Sequence, residues 1–224
     1  MARALPKVLL FDLGGVLVDW AGIGEVAKLT GGRMDIDAAR RYWLGSTWVR
    51  GFETGKCSSA DFCAGVVTDL GLPIAAEDFL RRFVSWDRGP LPGALELLDA
   101  LRSRFTLACM SNNNPLHWER LKQPDIFGAR FDHIFISYET GFMKPDSAAY
   151  EHVLASLECR PEEVLFFDDS PECVEGARAI GIRGYVVQGV QGVLQSLESE
   201  GIEPGIVMAA ESVQRADQSQ EVVS

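Results

Sequence analysis

Val8-Leu9-Leu10-Phe11-Asp12-Leu13-Gly14-Gly15-Val16-Leu17-Val18-Asp19 is the stretch from which the fold is read. Val8 to Phe11 is a continuous apolar run of β-formers, the pattern of a strand buried on both faces. Asp12 falls where that strand should end. Gly14 and Gly15 let the backbone turn sharply and approach a ligand closely. In an open parallel sheet, ligands bind beyond the carboxyl ends of the strands. A carboxylate there can be a nucleophile, a metal ligand or simply the cap of the next turn, and this stretch alone leaves all three open.

Three later segments extend the pattern. Leu107-Ala108-Cys109-Met110-Ser111-Asn112 is another apolar run, ending in a hydroxyl. Gly141-Phe142-Met143-Lys144-Pro145-Asp146 carries a lysine beside a proline. Val164-Leu165-Phe166-Phe167-Asp168-Asp169-Ser170 is a third buried-strand pattern, ending in paired carboxylates. Asp, Ser, Lys and Asp-Asp in this order resemble the four motifs of the haloacid dehalogenase-like hydrolase superfamily, from about Val8 to about Val187. Each motif alone is weak; the four together are specific. The form Asp12-Leu13-Gly14-Gly15-Val16, Ser111-Asn112-Asn113-Asn114 with His117, and Phe166-Phe167-Asp168-Asp169 are similar to the sugar-phosphatase branch typified by α-glucose-1-phosphate phosphatase.

Composition sets bounds on these readings. The chain has 224 residues, 47% hydrophobic and 24% charged, enough for one sizeable core or a core plus a small second domain. Its net charge of −11, from 21 basic and 32 acidic residues, disfavours binding to nucleic acid or to an anionic membrane. A phosphate substrate stays compatible, because a metal and a lysine can reverse the field inside a cleft. Cysteines 57, 63, 109, 159 and 173 are odd in number and without Cys-x-x-Cys spacing, which reads as free thiols in a reducing compartment. No stretch is long and apolar enough to span a bilayer, and a cytoplasmic location is expected.

Along the chain, residues 20 to 90 lack strand patterns and predict short helices over Ile23–Leu29, Asp35–Val49, Ser58–Gly71 and Ala75–Trp86. Asp87-Arg88-Gly89-Pro90-Leu91-Pro92-Gly93 is dense in turn formers and reads as a return hinge. From Ala94 helix and strand patterns alternate, which implies a Rossmann-like, mostly parallel sheet with helices on both faces. The expected division is an α/β core over 1–19 and 88–205 and a helical cap over 20–87. Residues 206–224, polar and poor in aromatics, are expected to be a disordered tail.

The resemblance implies a Mg²⁺-dependent phosphomonoester hydrolase acting on a small phosphorylated metabolite. Asp12 would be the nucleophile, forming an aspartyl phosphate. Asp12, the backbone carbonyl of Gly14, Asp168 and Asp169 would hold Mg²⁺, with Asp169 favoured over Asp168 as the direct ligand. Ser111, the backbone N–H of Asn112 and Lys144 would hold phosphate oxygens. His117 and Trp20 are further candidates for contact with substrate. Taken singly, Ser111 reads rather as a cap, Lys144 as an exposed surface lysine and His117 as a partly buried structural histidine; only their joint occurrence in the family order lifts Ser111 and Lys144 above that.

Gly14 departs from the family pattern, which has a second Asp there acting as general acid and base. Its loss costs ~10²–10⁴-fold, or roughly 3–5 kcal/mol of barrier. A sugar 1-phosphate, whose anomeric hydroxyl is a comparatively acidic leaving group, would feel that loss least. Breakdown of the aspartyl phosphate would still lack its usual base; a metal-bound water, His117 or a cap residue such as Glu53 are substitutes. Two other readings compete. One is a silent binding or regulatory protein that kept the fold. The other is a dehalogenase, disfavoured because those enzymes resemble Asp-x-Tyr at the first motif and need no metal.

Overall fold

The computed structural model describes residues 5–205; the tail expected over 206–224 lies outside them. In chain order, β1 (Val8–Phe11) and β2 (Val18–Trp20) come first. Helices α1 (Gly22–Leu29), α2 (Ile36–Gly45), α3 (Thr47–Glu53), α4 (Ser59–Asp69) and α5 (Ala76–Val84) follow. Then come β3 (Asp87–Pro90), α6 (Ala94–Leu101), β4 (Thr106–Ser111), α7 (Pro115–Leu121), β5 (His133–Ile136) and α8 (Ser137–Thr140). The rest is α9 (Ser147–Leu157), β6 (Val164–Asp168), α10 (Pro171–Ala179), β7 (Arg183–Val186) and α11 (Gly189–Ser199). Among the described residues no helix is long and apolar enough to cross a membrane.

The main sheet has five parallel strands in the order β5-β4-β1-β6-β7. The apolar run thus becomes the central strand. Its register aligns Phe11 with Cys109 on one side and Phe167 on the other, so Asp12 lies level with the ends of both neighbours. The chain leaves β1 for strands on one side and later returns to the other, which opens a crevice at the carboxyl ends. Because side chains alternate along a strand, each of these strands feeds two cores. Leu9, Phe11, Leu107, Cys109, Leu165 and Phe167 enter one with α6 and α11. Val8, Leu10, Ala108, Met110, Val164 and Phe166 enter the other with α9 and α10.

The helices α1 to α5 have an apolar cluster of their own, built on Trp43, Phe52, Phe62, Phe79, Phe83 and Trp86. The rings interlock, with centroids 4.6 Å apart for Phe52–Phe62 and 4.9 Å for Phe62–Phe83. Trp20 packs on both this cluster and the core beneath it.

Three differences from the sequence reading have local causes. The single helix expected over Asp35–Val49 breaks at Ser46, which is extended (φ −70°, ψ 127°) and caps α3 through Val49 N–H. Gly45 is the weak helix former that permits the break. The break redirects the chain so that Phe52 and Glu53 are buried. The return hinge is partly a strand: β3 pairs antiparallel with β2, so the two passages into and out of the helical segment form a ribbon. Finally, α11 was missed, although Val190, Val193 and Leu197 follow helical spacing and are buried. Gly189 and Gly192 mask that pattern, since glycine disfavours a helix interior.

The packing of the central strands can be tested directly. Phe167 is fully buried, with its ring 5.2 Å from Phe11 and 6.0 Å from Tyr185. Phe167→Ala should lower the unfolding free energy by ~3–5 kcal/mol, read as a shift of the urea midpoint at constant slope. A loss below ~1 kcal/mol would contradict this packing.

Candidate active site

Asp12 is fixed where β1 ends, its backbone N–H donating to Phe167 O at 2.9 Å. The turn that follows depends on Gly15, not Gly14. Gly15 has φ +74°, and a Cβ there would sit 2.6 Å from Asp169 Oδ2. Gly14 has no positive φ, and a Cβ on it would meet only Trp20, at 3.6 Å. The missing carboxylate is therefore not forced by sterics.

Lys144 organises the charges. Its Nζ lies 2.9 Å from Asp12 Oδ1, 2.6 Å from Asp168 Oδ2 and 2.9 Å from Met110 O. Burial opposes its charge, yet Asp12 and Asp168 hold its pKa well above the usual lysine value. Asn112 fixes the lysine backbone. Its Oδ1 accepts from Lys144 N–H and its Nδ2 donates to Lys144 O, both at 2.9 Å. The expectation for Asn112 rested on its backbone N–H; the side chain's positioning role was not foreseen.

Asp168 has both oxygens engaged, Oδ2 by Lys144 and Oδ1 by Ser170 N–H at 2.8 Å. Asp169 is less enclosed, and its nearest cation is Arg40 of α2, at 4.0 Å. Oxygens of Asp12, Asp168 and Asp169 lie within 4.8 Å of one another. Burial raises Asp12 to about 6; Lys144 pulls it down and Asp168 pushes it up. Burial, then Asp12 and Asp168, raise Asp169 to about 7. A hard divalent cation fits this set, because it takes carboxylate oxygens and would offset the burial and mutual repulsion that raise those pKa values. Asp169 has the carboxylate left most open to it.

These groups line one cavity of about 570 Å³, together with Gly14, Ser111, Asn112, His117 and Trp20. Every sequence-predicted site residue is therefore brought to it, but not equally. His117 has both ring nitrogens occupied: Nε2 lies 2.8 Å from Phe83 O and Nδ1 3.2 Å from Asn114 Nδ2. With Asn114 donating to Nδ1, the ring proton sits on Nε2 and goes to the Phe83 carbonyl. Burial also lowers the His117 pKa. The ring is a strut between α5 and α7. Trp20 forms a wall, its ring 5.7 Å from Trp43.

Sequence reasoning missed Arg40, which lines the cavity from α2. Its only signal was a basic residue on a helix in the segment between the first two motifs. Glu53 was noted only as one substitute base among several. It is 5% exposed at the end of α3 and also lines the cavity.

Residues 6–181 match the family model of haloacid dehalogenase-like hydrolases. The chain is 31% identical over 212 residues to phosphatase MT3486 of Mycobacterium tuberculosis, covering 87% of this chain and 95% of that protein. It is 29% identical over 179 residues to the sesquiterpene phosphatase astK of Aspergillus oryzae, covering 80% and 88%. In fold it is similar to the HAD family enzyme BT-2542 of Bacteroides thetaiotaomicron in complex with magnesium and inorganic phosphate. That match has a TM-score of 0.64 and 24% identity, covering 82% of this chain and 94% of that one.

The raised carboxyls predict a pH effect with a definite sign. Asp12 and Asp169 bind protons more tightly folded than unfolded, at about 6 and about 7 against an ordinary 3.8. Their stabilising contribution is fully present below the ordinary value and is lost as pH rises through the folded values. Stabilisation by Mg²⁺ should therefore grow from about pH 5 to about pH 8, as the cation ceases to compete with protons. Urea midpoints with Mg²⁺ and with chelator measure it. A gap between them that is constant with pH would contradict the site.

Proposed function

The chain belongs to the haloacid dehalogenase-like hydrolase family, and we propose that it is a Mg²⁺-dependent phosphatase of a small phosphorylated metabolite, acting through Asp12. The observation that carries this reading is the ammonium of Lys144 held 2.9 Å from Asp12 inside a cluster of three carboxylates. In this reading residues 1–19 and 88–205 are the core that carries the chemistry. Residues 20–87 are the cap that closes over it and selects the substrate.

Asp12 Oδ2 attacks phosphorus while Oδ1 stays with Lys144. The bond to the leaving oxygen breaks and an aspartyl phosphate forms. Ser111 and the Asn112 N–H donate to the phosphoryl oxygens, and Lys144 neutralises negative charge on the transferring group. Asp12, the Gly14 carbonyl and Asp169 would hold the cation, which supplies further neutralisation of the phosphoryl oxygens. Asp168 positions Lys144. Water then hydrolyses the aspartyl phosphate and restores Asp12.

A cavity of about 570 Å³ lined by Trp20, Trp43, Arg40 and Glu53 suits a metabolite of sugar size. D-Ribitol-5-phosphate phosphatase of Bacteroides thetaiotaomicron, 22% identical over 188 residues, is among the relatives and supports a sugar or polyol phosphate. A hexose 1-phosphate asks least of the first motif, because its leaving group needs little protonation.

Asp12→Asn should reduce hydrolysis of 4-nitrophenyl phosphate to background while the circular dichroism stays native. Near-native turnover by the pure variant would exclude the covalent mechanism. Asp169→Asn should weaken Mg²⁺ binding, measured by calorimetry, by at least ~10-fold. Hydrolysis that persists after exhaustive chelation would exclude the metal requirement.

A further inference from the structure

Of the acidic side chains that line the cavity, four form an ion pair with a lysine or arginine and one, among the described residues, forms none. Asp12 and Asp168 face Lys144, Asp169 faces Arg40, and Asp87 is paired with Arg120 at 2.6 Å. Among the described residues no lysine or arginine forms an ion pair with Glu53, whose pairing would be expected of a buried ionised carboxylate. Its partner is the indole of Trp43, which donates a hydrogen bond to the carboxyl. Burial pushes the Glu53 carboxyl up to about 8; the Trp43 bond lowers it, the Asp12 charge raises it and Lys144 lowers it. Glu53 lines the same cavity as Asp12 and Lys144, and the charges of both act on it.

The surroundings fix this group in place. A hypothetical Cβ on Gly14 meets Trp20, the Trp20 ring packs on Trp43, and Trp43 holds Glu53, so one continuous wall joins the missing side chain to this carboxyl. The end of α3 is anchored to the sheet-bearing part of the chain by an ion pair between Arg50 and Asp146, two residues after Lys144. Just beyond it, Gly55 has φ +71° and comes so near Tyr138 that a Cβ there would lie 3.0 Å from its carbonyl oxygen.

We infer that Glu53 supplies, from the helical segment, the proton donor and acceptor that Gly14 does not. This rests on the aspartyl-phosphate reading above and deepens it. As Asp12 Oδ2 bonds to phosphorus, the bond from phosphorus to the leaving oxygen breaks. Its electron pair stays on that oxygen, which takes the proton of the Glu53 carboxyl. The resulting Glu53 carboxylate accepts a proton from the water that attacks the aspartyl phosphate. Asp12 leaves with its bonding pair, inorganic phosphate is released and Glu53 is protonated again. With this donor the substrate class widens from esters of acidic hydroxyls, such as sugar 1-phosphates, to esters of plain alcohols.

The test uses the full chain with Mg²⁺ and two probes of similar shape, 4-nitrophenyl phosphate and 4-nitrobenzyl phosphate, in single-turnover release of the alcohol. The phenolate leaves unaided; the benzyl alcohol needs a proton. Glu53→Gln should slow release from the benzyl ester ~10²–10⁴-fold more than release from the phenyl ester. Gly14→Asp added to Glu53→Gln should restore the benzyl rate. Equal losses on both esters, or none on the benzyl ester, would overturn the assignment. Gly14→Asp in the presence of Glu53 tests it even if Glu53→Gln does not fold: benzyl release should rise by less than about threefold, and a rise of ~10²-fold or more means no donor is present. Failure of the parent reading looks different, since wild-type protein would then release no 4-nitrophenol from Asp12 phosphorylation, and both assignments would be withdrawn.

Discussion

The buried ammonium of Lys144 is the interaction on which the rest depends. Its three N–H donors meet Asp12, Asp168 and the Met110 carbonyl, so its hydrogen-bonding capacity is used up. One cation thus serves two buried carboxylates, with a third, Asp169, nearby. Removing one partner from such a buried group leaves an uncompensated charge, at about 3–5 kcal/mol. Burial, with the neighbouring carboxylates, raises Asp12 and Asp169 beyond the ordinary carboxyl range, while Lys144 pulls Asp12 back down. A site in this state favours incoming positive charge and keeps Asp12 oriented.

The sheet makes that concentration of charge possible. Parallel strands end together, so Asp12, Ser111 and Asp168 emerge at one edge from three neighbouring strands. Apolar residues on both faces of those strands exclude water from the base of the site, which strengthens its electrostatics. Lys144 comes from a loop, not a strand. It needs the two hydrogen bonds from Asn112 to reach the same precision. An apolar scaffold and a few exact polar contacts divide the work between them.

The helical segment contributes differently. Its aromatic cluster gives it a core independent of the sheet, while Trp20 belongs to both cores and links them. Against the cavity it presents Arg40, Trp43 and Glu53, one basic, one aromatic and one acidic group. The Ser46 break is what brings Glu53 there, because one continuous helix would carry the chain in another direction. The carboxylates that face Lys144 are thus built on strand ends, and the opposite wall of the cavity on helices.

The sequence by itself determined the α/β class, the central strand and the carboxylates at its end. Those follow from short-range physics: apolar runs of strand length, a polar residue where each stops, and glycine where the chain must turn. The order of Asp12, Ser111, Lys144 and Asp168-Asp169 was legible for the same reason, as each sits at a recognisable strand end or loop. What only the tertiary structure decided is which groups remain available. His117 reads in sequence as a structural histidine or an acid, and folding decides for the first: both its nitrogens are taken by Phe83 and Asn114, contacts that depend on how α5 meets α7. Gly14 and Gly15 read alike in sequence, but only Gly15 has φ > 0 and lies against Asp169. Arg40 and Glu53 are ordinary helical residues until folding brings them to the cavity. A side chain's charge, partners and reach are set by residues tens of positions away, and burial then decides their energy.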